Sequence, residues 1–403
     1  MRNRIDLSQM PRFWPPKPSR RWQRLLAPMH RYLLHRHHQI ADVRFDGLER
    51  VAALGERDGV LICPNHSYTG DGSVMLELIR RAPREIAIMA AWHVFRGHWG
   101  LDGFLLQRMG GFSVDREGCD RRAIRTAIEL LSTGRGLIIF PEGEIYHLNE
   151  RLTALREGVA FIAVSAQREL EKSKIDARVW LMPAAIRYEF VDDVLPELDR
   201  RLRAMEKRML LKPPPKLPLH ERIVRFGEML LTIKEKEKLG RSNESVGDLP
   251  ARIRLLTEKL LERLETQHLS KTSPDETVPV RVKSLRRQLI ETLCEESADP
   301  ARLAAAREAL DDVHMVLQLF SYPGDYVASA PTPLRMAETI EKFEEDLTSG
   351  RYAAPVGRRR AQVTLGTPID VRAQLGQTKA RQAAGDLTTS LERHLQHLMG
   401  APV

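Results

Sequence analysis

The residues best suited to chemistry fall in one stretch, Cys63-Pro64-Asn65-His66-Ser67-Tyr68-Thr69-Gly70-Asp71-Gly72. A hydroxyl is a poor nucleophile at neutral pH because its proton is tightly held, so a positioned base with a pKa near 7 must take that proton as attack proceeds. His66 has the side chain for this. A carboxylate on its second ring nitrogen would fix the tautomer and stabilise the imidazolium as it forms. Asp71 is the candidate partner. On a continuous helix, at about 100° per residue, the two side chains would diverge by about 140°, whereas a loop bent at Gly70 and Gly72 could fold the carboxylate back onto the ring. Two plainer roles compete: Asp71 as the N-cap of a following helix, and His66 as a hydrogen-bonding loop residue.

The flanking residues supply the elements that would position such a pair. Gly59 to Cys63 is a short apolar run that reads as a buried strand, and the polar, glycine-dotted residues after it read as its C-terminal loop. A helix starts near Ser73 and carries Val74, Met75, Leu78 and Ile79 at helical spacing. His66 therefore sits in a strand-to-helix loop, a usual place for chemistry in α/β proteins. Strand and helix keep alternating: strands are expected at Val43 to Leu48, Ile86 to Ala90, Gly136 to Phe140 and Val179 to Tyr188, and helices at Arg121 to Leu131 and Arg156 to Leu170. The strand ending at Phe140 delivers Pro141-Glu142-Gly143 to the same sheet edge as His66. Trp92, Phe95, Trp99 and Phe104 either line an acyl groove or pack the core, and His93 and His98 read as structural.

Asn65-His66 with Asp71 resembles the NHxxxxD motif of the glycerolipid acyltransferase superfamily, which includes lysophosphatidic acid and glycerol-3-phosphate acyltransferases. Three later segments match that family's further blocks in order: Gly110-Gly111-Phe112-Ser113-Val114-Asp115-Arg116, Phe140-Pro141-Glu142-Gly143, and Val179-Trp180-Leu181-Met182-Pro183-Ala184-Ala185-Ile186. The resemblance runs from Phe45 to Phe190 and resumes at Gln362 to Ile369, where Gly366-Thr367-Pro368-Ile369 is similar to the closing strand of many members. It implies an α/β fold with a central mixed sheet flanked by helices and a large helical insertion before the last strand. It also implies a phospholipid-synthesis enzyme that moves a fatty acyl group from an acyl-CoA or acyl-carrier-protein thioester to a hydroxyl of a glycerolipid-type acceptor. In that scheme His66 is the general base and Asp71 orients it. Asn65, Arg116, Pro141, Glu142 and Gly143 bind substrate, Arg116 through the acceptor's phosphate, and the loop amides of Pro141 to Gly143 face the oxyanion. Neither a cofactor nor a metal is called for; the thioester is a co-substrate.

The chain departs from its relatives after Gly143. They usually continue FPEGTRS, whereas here Glu144, Ile145 and Tyr146 follow, which removes one arginine and adds a negative charge. An acceptor without phosphate therefore stands beside a glycerol-phosphate one, and Arg151 or Arg156 could substitute for the missing contact. The proline that usually leads the last block is absent before Met182.

Composition narrows the setting. The 403 residues allow one or two domains, with 42% hydrophobic and 29% charged residues and no apolar run of membrane-spanning length. Met1-Arg2-Asn3-Arg4 leads into Gln9-Met10-Pro11-Arg12 without the apolar core of a signal peptide, and Cys63, Cys119 and Cys294 are scattered. A cytoplasmic protein peripherally associated with the inner face of a membrane is expected. Of the net charge of +9, nearly all lies before residue 45, where ten basic residues face Asp6 and Asp42. Between Ser19 and Ile40, Trp22, Leu25, Leu26, Met29, Tyr32, Leu33 and Ile40 fall near one helical face, and Pro28 is expected to split the segment into two short helices. Such a basic amphipathic arm suits an anionic membrane surface; a helix capping the core is the alternative. No nucleic-acid motif accompanies the charge. His35, His37 and His38 lack a carboxylate or cysteine placed to complete a metal site.

The chain thus reads as a basic arm (1–44), an acyltransferase core (45–190), a helical insertion (191–361) and a terminal strand with its helix (362–403). The insertion opens at a stiff linker, Leu211 to Pro218, and continues in helices at Glu221 to Lys238, Leu249 to Leu269, Val280 to Glu295, Pro300 to Phe320 and Leu334 to Leu347, without a repeat or a catalytic motif. Neither GxSxG nor a Walker loop occurs. Two other classes of function remain: a membrane-surface scaffold that keeps the fold, and an esterase in which water replaces the acceptor.

Overall fold

A computed structural model describes residues 12–97, 100–116, 120–212, 216–243, 247–270, 275–295, 299–348, 353–375 and 380–400. The expectations that touch the first eleven residues, His98, Trp99, Cys119 and Pro213 to Pro215 lie outside the described residues. Contacts divide the chain into a sheet unit, Pro11–Asp193 with Gly357–Val403, and a helical unit, Val194–Val356.

The elements run α1 (Arg20–Tyr32), a π-helical turn (Leu33–His37), β1 (Ile40–Asp46), α2 (Leu48–Ala52), β2 (Gly59–Pro64), α3 (Asp71–Arg81), β3 (Ile86–Ala91), a 3-10 turn (Trp92–Arg96), α4 (Leu101–Arg108), β4 (Gly111–Val114), α5 (Arg121–Ser132), β5 (Gly136–Ile138), α6 (Gly158–Lys172) and β6 (Val179–Phe190). The helical unit follows with α7 (Leu195–Arg208), α8 (Leu219–Leu239), α9 (Leu249–His268), α10 (Val278–Leu293), α11 (Pro300–Phe320), α12 (Tyr326–Ser329) and α13 (Pro333–Leu347). The chain then returns to the sheet with β7 (Arg359–Leu365), β8 (Ile369–Asp370), α14 (Val371–Leu375) and α15 (Ala380–Leu398).

The strands form a mixed, mostly parallel sheet in the order β1-β7-β6-β2-β5-β3-β4, with β8 beside β6. Flanked on both sides by parallel neighbours, β2 is buried along its whole length, which is why its sequence is an uninterrupted apolar run. β6 runs parallel to β2 and antiparallel to β7, with Ile186 opposite Val363, so the returning chain completes the sheet. Pro183, which has no N–H to give a ladder, falls between the residues of β6 that pair with β8 and those that pair with β7. Leu61, Leu137 and Leu181 of the sheet share one apolar cluster with Ala163 of α6 and Leu387 and Leu391 of α15. Trp92 and Phe95 are core residues.

Two expectations for the arm are corrected. First, α1 runs straight through Pro28. The carbonyl that Pro28 leaves without a helical partner belongs to Arg24, which is exposed, so water can satisfy it. Second, the apolar stripe of α1 is not buried as a unit. Leu26 and Leu34 are buried with Gln23 and His30, whereas Leu25, Met29, Tyr32 and Leu33 are exposed, roughly 120° further round the helix. The buried side grips α3: Arg20 donates to the carbonyls of Ile79, Ala82 and Arg84 at 3.4, 3.1 and 3.0 Å, and His30 Nε2 lies 2.9 Å from the Ser73 carbonyl.

In the helical unit, Leu256, Leu260, Leu261 and Leu264 of α9 pack with Leu285 and Leu289 of α10 and Val313 and Val316 of α11. α7 is absent from the expected helices, although Leu198, Leu202 and Met205 recur at helical spacing. A repeat not visible in the sequence emerges in the salt bridges. Arg222, Arg252 and Arg281 are each the fourth residue of a helix, and each makes a bidentate pair with a buried glutamate near the end of the preceding one: Glu206, Glu235 and Glu265.

Candidate active site

Beyond Pro64 the chain leaves the sheet, and Asn65 anchors the departure. Its amide donates to the Ala184 carbonyl at 3.3 Å, its side chain accepts from the Ile186 amide at 2.6 Å, and it donates to the Ile186 carbonyl at 3.1 Å. The carboxamide thus continues the β2–β6 pairing by one step. Asn65, expected to contact substrate, is 1% exposed, and its side-chain bonds go to β6. Asn149, at the buried end of the loop after Gly143, repeats the device by donating to Ser67 Oγ at 2.7 Å and to the Ile186 carbonyl at 2.9 Å.

With the loop so held, His66 Nδ1 lies 3.0 Å from Asp71 Oδ2. Asp71 is the first residue of α3, and its amide closes a turn onto the Tyr68 carbonyl at 3.0 Å. The expected glycine bend is corrected. Gly70 has φ −79°, open to any residue, and what it provides is space, since a Cβ there would come within 2.9 Å of Ile40 and Tyr68; Gly72 has no neighbour within 4 Å of such an atom. The turn, and not glycine's conformational freedom, carries the carboxylate back to the ring.

Asp71 is fully buried and accepts from four donors. Oδ2 takes His66 Nδ1, the Ser67 amide at 2.8 Å and the Tyr68 amide at 2.9 Å, while Oδ1 takes the Tyr188 hydroxyl at 2.6 Å. An ionised carboxylate can only accept, so the proton of the neutral imidazole is assigned to Nδ1 and Nε2 keeps its lone pair. The ring stacks on Phe140 at 3.9 Å between centroids and retains 17% exposure. Burial, then the neighbouring Asp71 charge, raises the Tyr188 phenol well above its ordinary value, so it stays a donor. The Tyr188 ring meets that of Tyr68 edge-on at 5.2 Å, and the buried Arg359 guanidinium lies 4.3 Å over Tyr68.

The second expected loop is adjacent. Glu142 was assigned to substrate, but its carboxylate is turned inward: Oε1 accepts from the His66 amide at 2.7 Å, and Oε2 accepts from the Thr153 amide at 3.1 Å and from the Thr153 hydroxyl. It braces the His66 backbone. Burial pushes its carboxyl up to about 7, against the pull of these donors. The Gly143 amide closes a turn onto the Phe140 carbonyl at 3.2 Å, so that amide is committed within the protein. Gly143 has φ +76°, a conformation that favours glycine, and it lies against the flexible end of the Arg156 side chain. Pro141 is buried beside it.

Arg116 reaches this loop from the end of β4. Its Nη1 donates to the Gly143 carbonyl at 2.7 Å and pairs with Glu144 at 3.2 Å. The residue that breaks the family pattern is thus the one that engages the expected anion-binding arginine. Of the two offered substitutes, Arg156 lies against Gly143. The expectations also missed Tyr188, Asn149, Thr153 and Phe140. The alternation Ile186-Arg187-Tyr188-Glu189, which places Tyr188 on the inward side between two charged residues, was the available signal.

Against known proteins, residues 42–187 match the family model described as Acyltransferase. No curated protein matches the chain.

Proposed function

We propose that the region matching the Acyltransferase family model, residues 42–187, transfers a fatty acyl group from a coenzyme A or acyl-carrier-protein thioester to a hydroxyl of a lipid acceptor. The observation that carries this reading is the buried Asp71 carboxylate on His66 Nδ1, which leaves Nε2 to act as base. The acceptor O–H gives its proton to Nε2 as its oxygen attacks the thioester carbonyl. The tetrahedral intermediate then expels the thiolate, which takes that proton back from the imidazolium, and Asp71 holds the ring in register through both transfers. The chemistry needs no acyl-enzyme.

The Arg116–Glu144 pair favours an acceptor that brings no phosphate to this loop, because a phosphate would have to displace a carboxylate already in place. The exposed residues of α1 and the turn after it support docking to an anionic membrane surface. Leu25, Met29, Tyr32 and Leu33 stand among Arg21, Arg24, Arg31 and Arg36, and no acidic residue occurs from Arg20 to His37. No helix among the described residues is long and apolar enough to cross a membrane.

A labelled acyl thioester is incubated with phosphorylated and non-phosphorylated acceptors, and the products are resolved by mass. Acyl ester that forms with wild type and not with His66→Ala is the expected outcome. Equal activity in both leaves the scaffold reading, and free fatty acid released without acceptor dependence leaves hydrolysis. If phosphorylated acceptors alone are used, and Glu144→Gln does not improve them, the role given to Glu144 is wrong. Co-sedimentation with anionic vesicles, lost in Leu25→Ser/Met29→Ser, tests the docking face.

A further inference from the structure

The helical unit contains a cavity of about 220 Å³, lined entirely by its own residues and so separate from the site around His66. Most of the wall is hydrocarbon, with Ile223, Leu231 and Ile253 among the lining side chains. The space exceeds the roughly 150 Å³ at which an apolar cavity already admits a benzene-sized guest.

Two features suggest that the space is kept deliberately. Gly227 lies in the interior of α8, where glycine disfavours the helix relative to alanine, and it lines the cavity; a Cβ on it would stand 3.3 Å from Phe343 Cζ. What glycine supplies here is room. The wall also includes one connected polar group. The Lys342 ammonium, 2% exposed as a residue, donates to the Ser321 carbonyl and lies 4.3 Å over the Tyr322 ring. The Tyr322 hydroxyl donates to Asp346 at 2.7 Å, and Asp346 also takes the Gln318 amide at 2.5 Å.

A mostly hydrocarbon wall, with Lys234, Glu237 and Thr339 also on it and a connected polar cluster at Lys342, Tyr322, Asp346 and Gln318, matches a largely apolar molecule with one polar end. We infer that this cavity binds one unbranched aliphatic chain ending in a single oxygen-bearing head group, as in a fatty acid or fatty alcohol, with the head at Lys342, Tyr322 and Gln318. Asp346 disfavours a carboxylate there and Lys342 favours it, so the two head groups are distinguished by experiment. The site is independent of the acyl-transfer reading, since no wall residue lies within 42–187.

The test titrates the full-length protein calorimetrically with dodecanoate and with dodecanol, each below its aggregation threshold. At least one is expected to bind wild type, and to bind Gly227→Leu about tenfold more weakly or worse, with acyl transfer unchanged. A preference for dodecanoate that Lys342→Met removes identifies a carboxylate head; a preference for dodecanol identifies a hydroxyl. Because Gly227→Leu could unsettle α8, a diazirine-bearing dodecanoic acid is also cross-linked to wild type and the adduct mapped. Label on residues 223–234 or 339–347 supports the site. Binding of neither probe, label confined to other segments, or equal binding by wild type and a folded Gly227→Leu overturns it.

Discussion

In the helical unit, three buried arginines each meet a buried glutamate fork to fork, and the geometry leaves no reactive atom between them. In the sheet unit Asp71 is buried at least as deeply and just as fully engaged, yet its partner is a ring whose second nitrogen remains for chemistry. Both regions remove charge from water. The difference lies in symmetry: a guanidinium–carboxylate pair satisfies both members at once, whereas an imidazole–carboxylate pair satisfies one and primes the other. Burial of charge alone therefore does not mark a site. A buried acceptor that over-determines one half of a two-ended base does.

Four experiments bear on that contrast. The largest effect is expected from His66→Ala, which should lower kcat for acyl transfer by about a thousandfold, within the usual range for a general base, and leave circular dichroism and the urea midpoint near wild type. Next comes Arg281→Met, which strands Glu265 and should cost about 3–5 kcal/mol in urea denaturation, while the double replacement Arg281→Met/Glu265→Leu should recover most of it. Failure of the double variant to recover would mean that the arginine clamps specify more than they stabilise.

Glu142 gives an effect of similar origin but opposite sign to a stabilising carboxylate. Its folded-state value of about 7 lies above the ordinary carboxyl value of 4.5. Between those limits the unfolded chain has released the proton and the folded one has not, so stability falls as pH rises from about 4.5 to 7, by on the order of 3 kcal/mol. The difference in unfolding free energy between Glu142→Gln and wild type, measured at pH 5 and pH 8, should shift in favour of the variant at the higher pH; a flat difference would place the carboxyl in the ordinary range. The smallest effect is expected from Tyr188→Phe. Loss of the donor on Asp71 Oδ1 should lower kcat by about five- to tenfold, close to the worth of one hydrogen bond, with KM unchanged and the acid limb of the pH–rate profile moved to higher pH. A merely structural tyrosine would leave that limb where it was.

The positions of the interior strands along the chain, the loop that carries His66 and the second loop at Pro141 were legible in the sequence because parallel interior strands read as unbroken apolar runs and their loops announce themselves with glycine and proline; the order of the strands in the sheet was not. What a side chain does at the end of such a loop was less legible. Asn65 and Glu142 look like cleft residues until the register of β6 and the position of Thr153 are known, and each then turns out to serve the backbone. Tyr188 reaches Asp71 across 117 positions of sequence, a pairing that only the assembled sheet creates. The arm shows the same limit in another form. A helical wheel lists the apolar residues of α1, but which of them are covered depends on the elements packed against it, and Leu26 is buried while Leu25 is exposed.

That grip by α1 has a mechanical corollary. Arg20 takes the Ile79 carbonyl in the last turn of α3 and the Ala82 and Arg84 carbonyls just past it, and His30 meets Ser73 near the beginning, two residues beyond Asp71. α1 is therefore fastened to α3 at both extremities, and a load applied to the outer side of α1 bears on the helix whose first residue is Asp71.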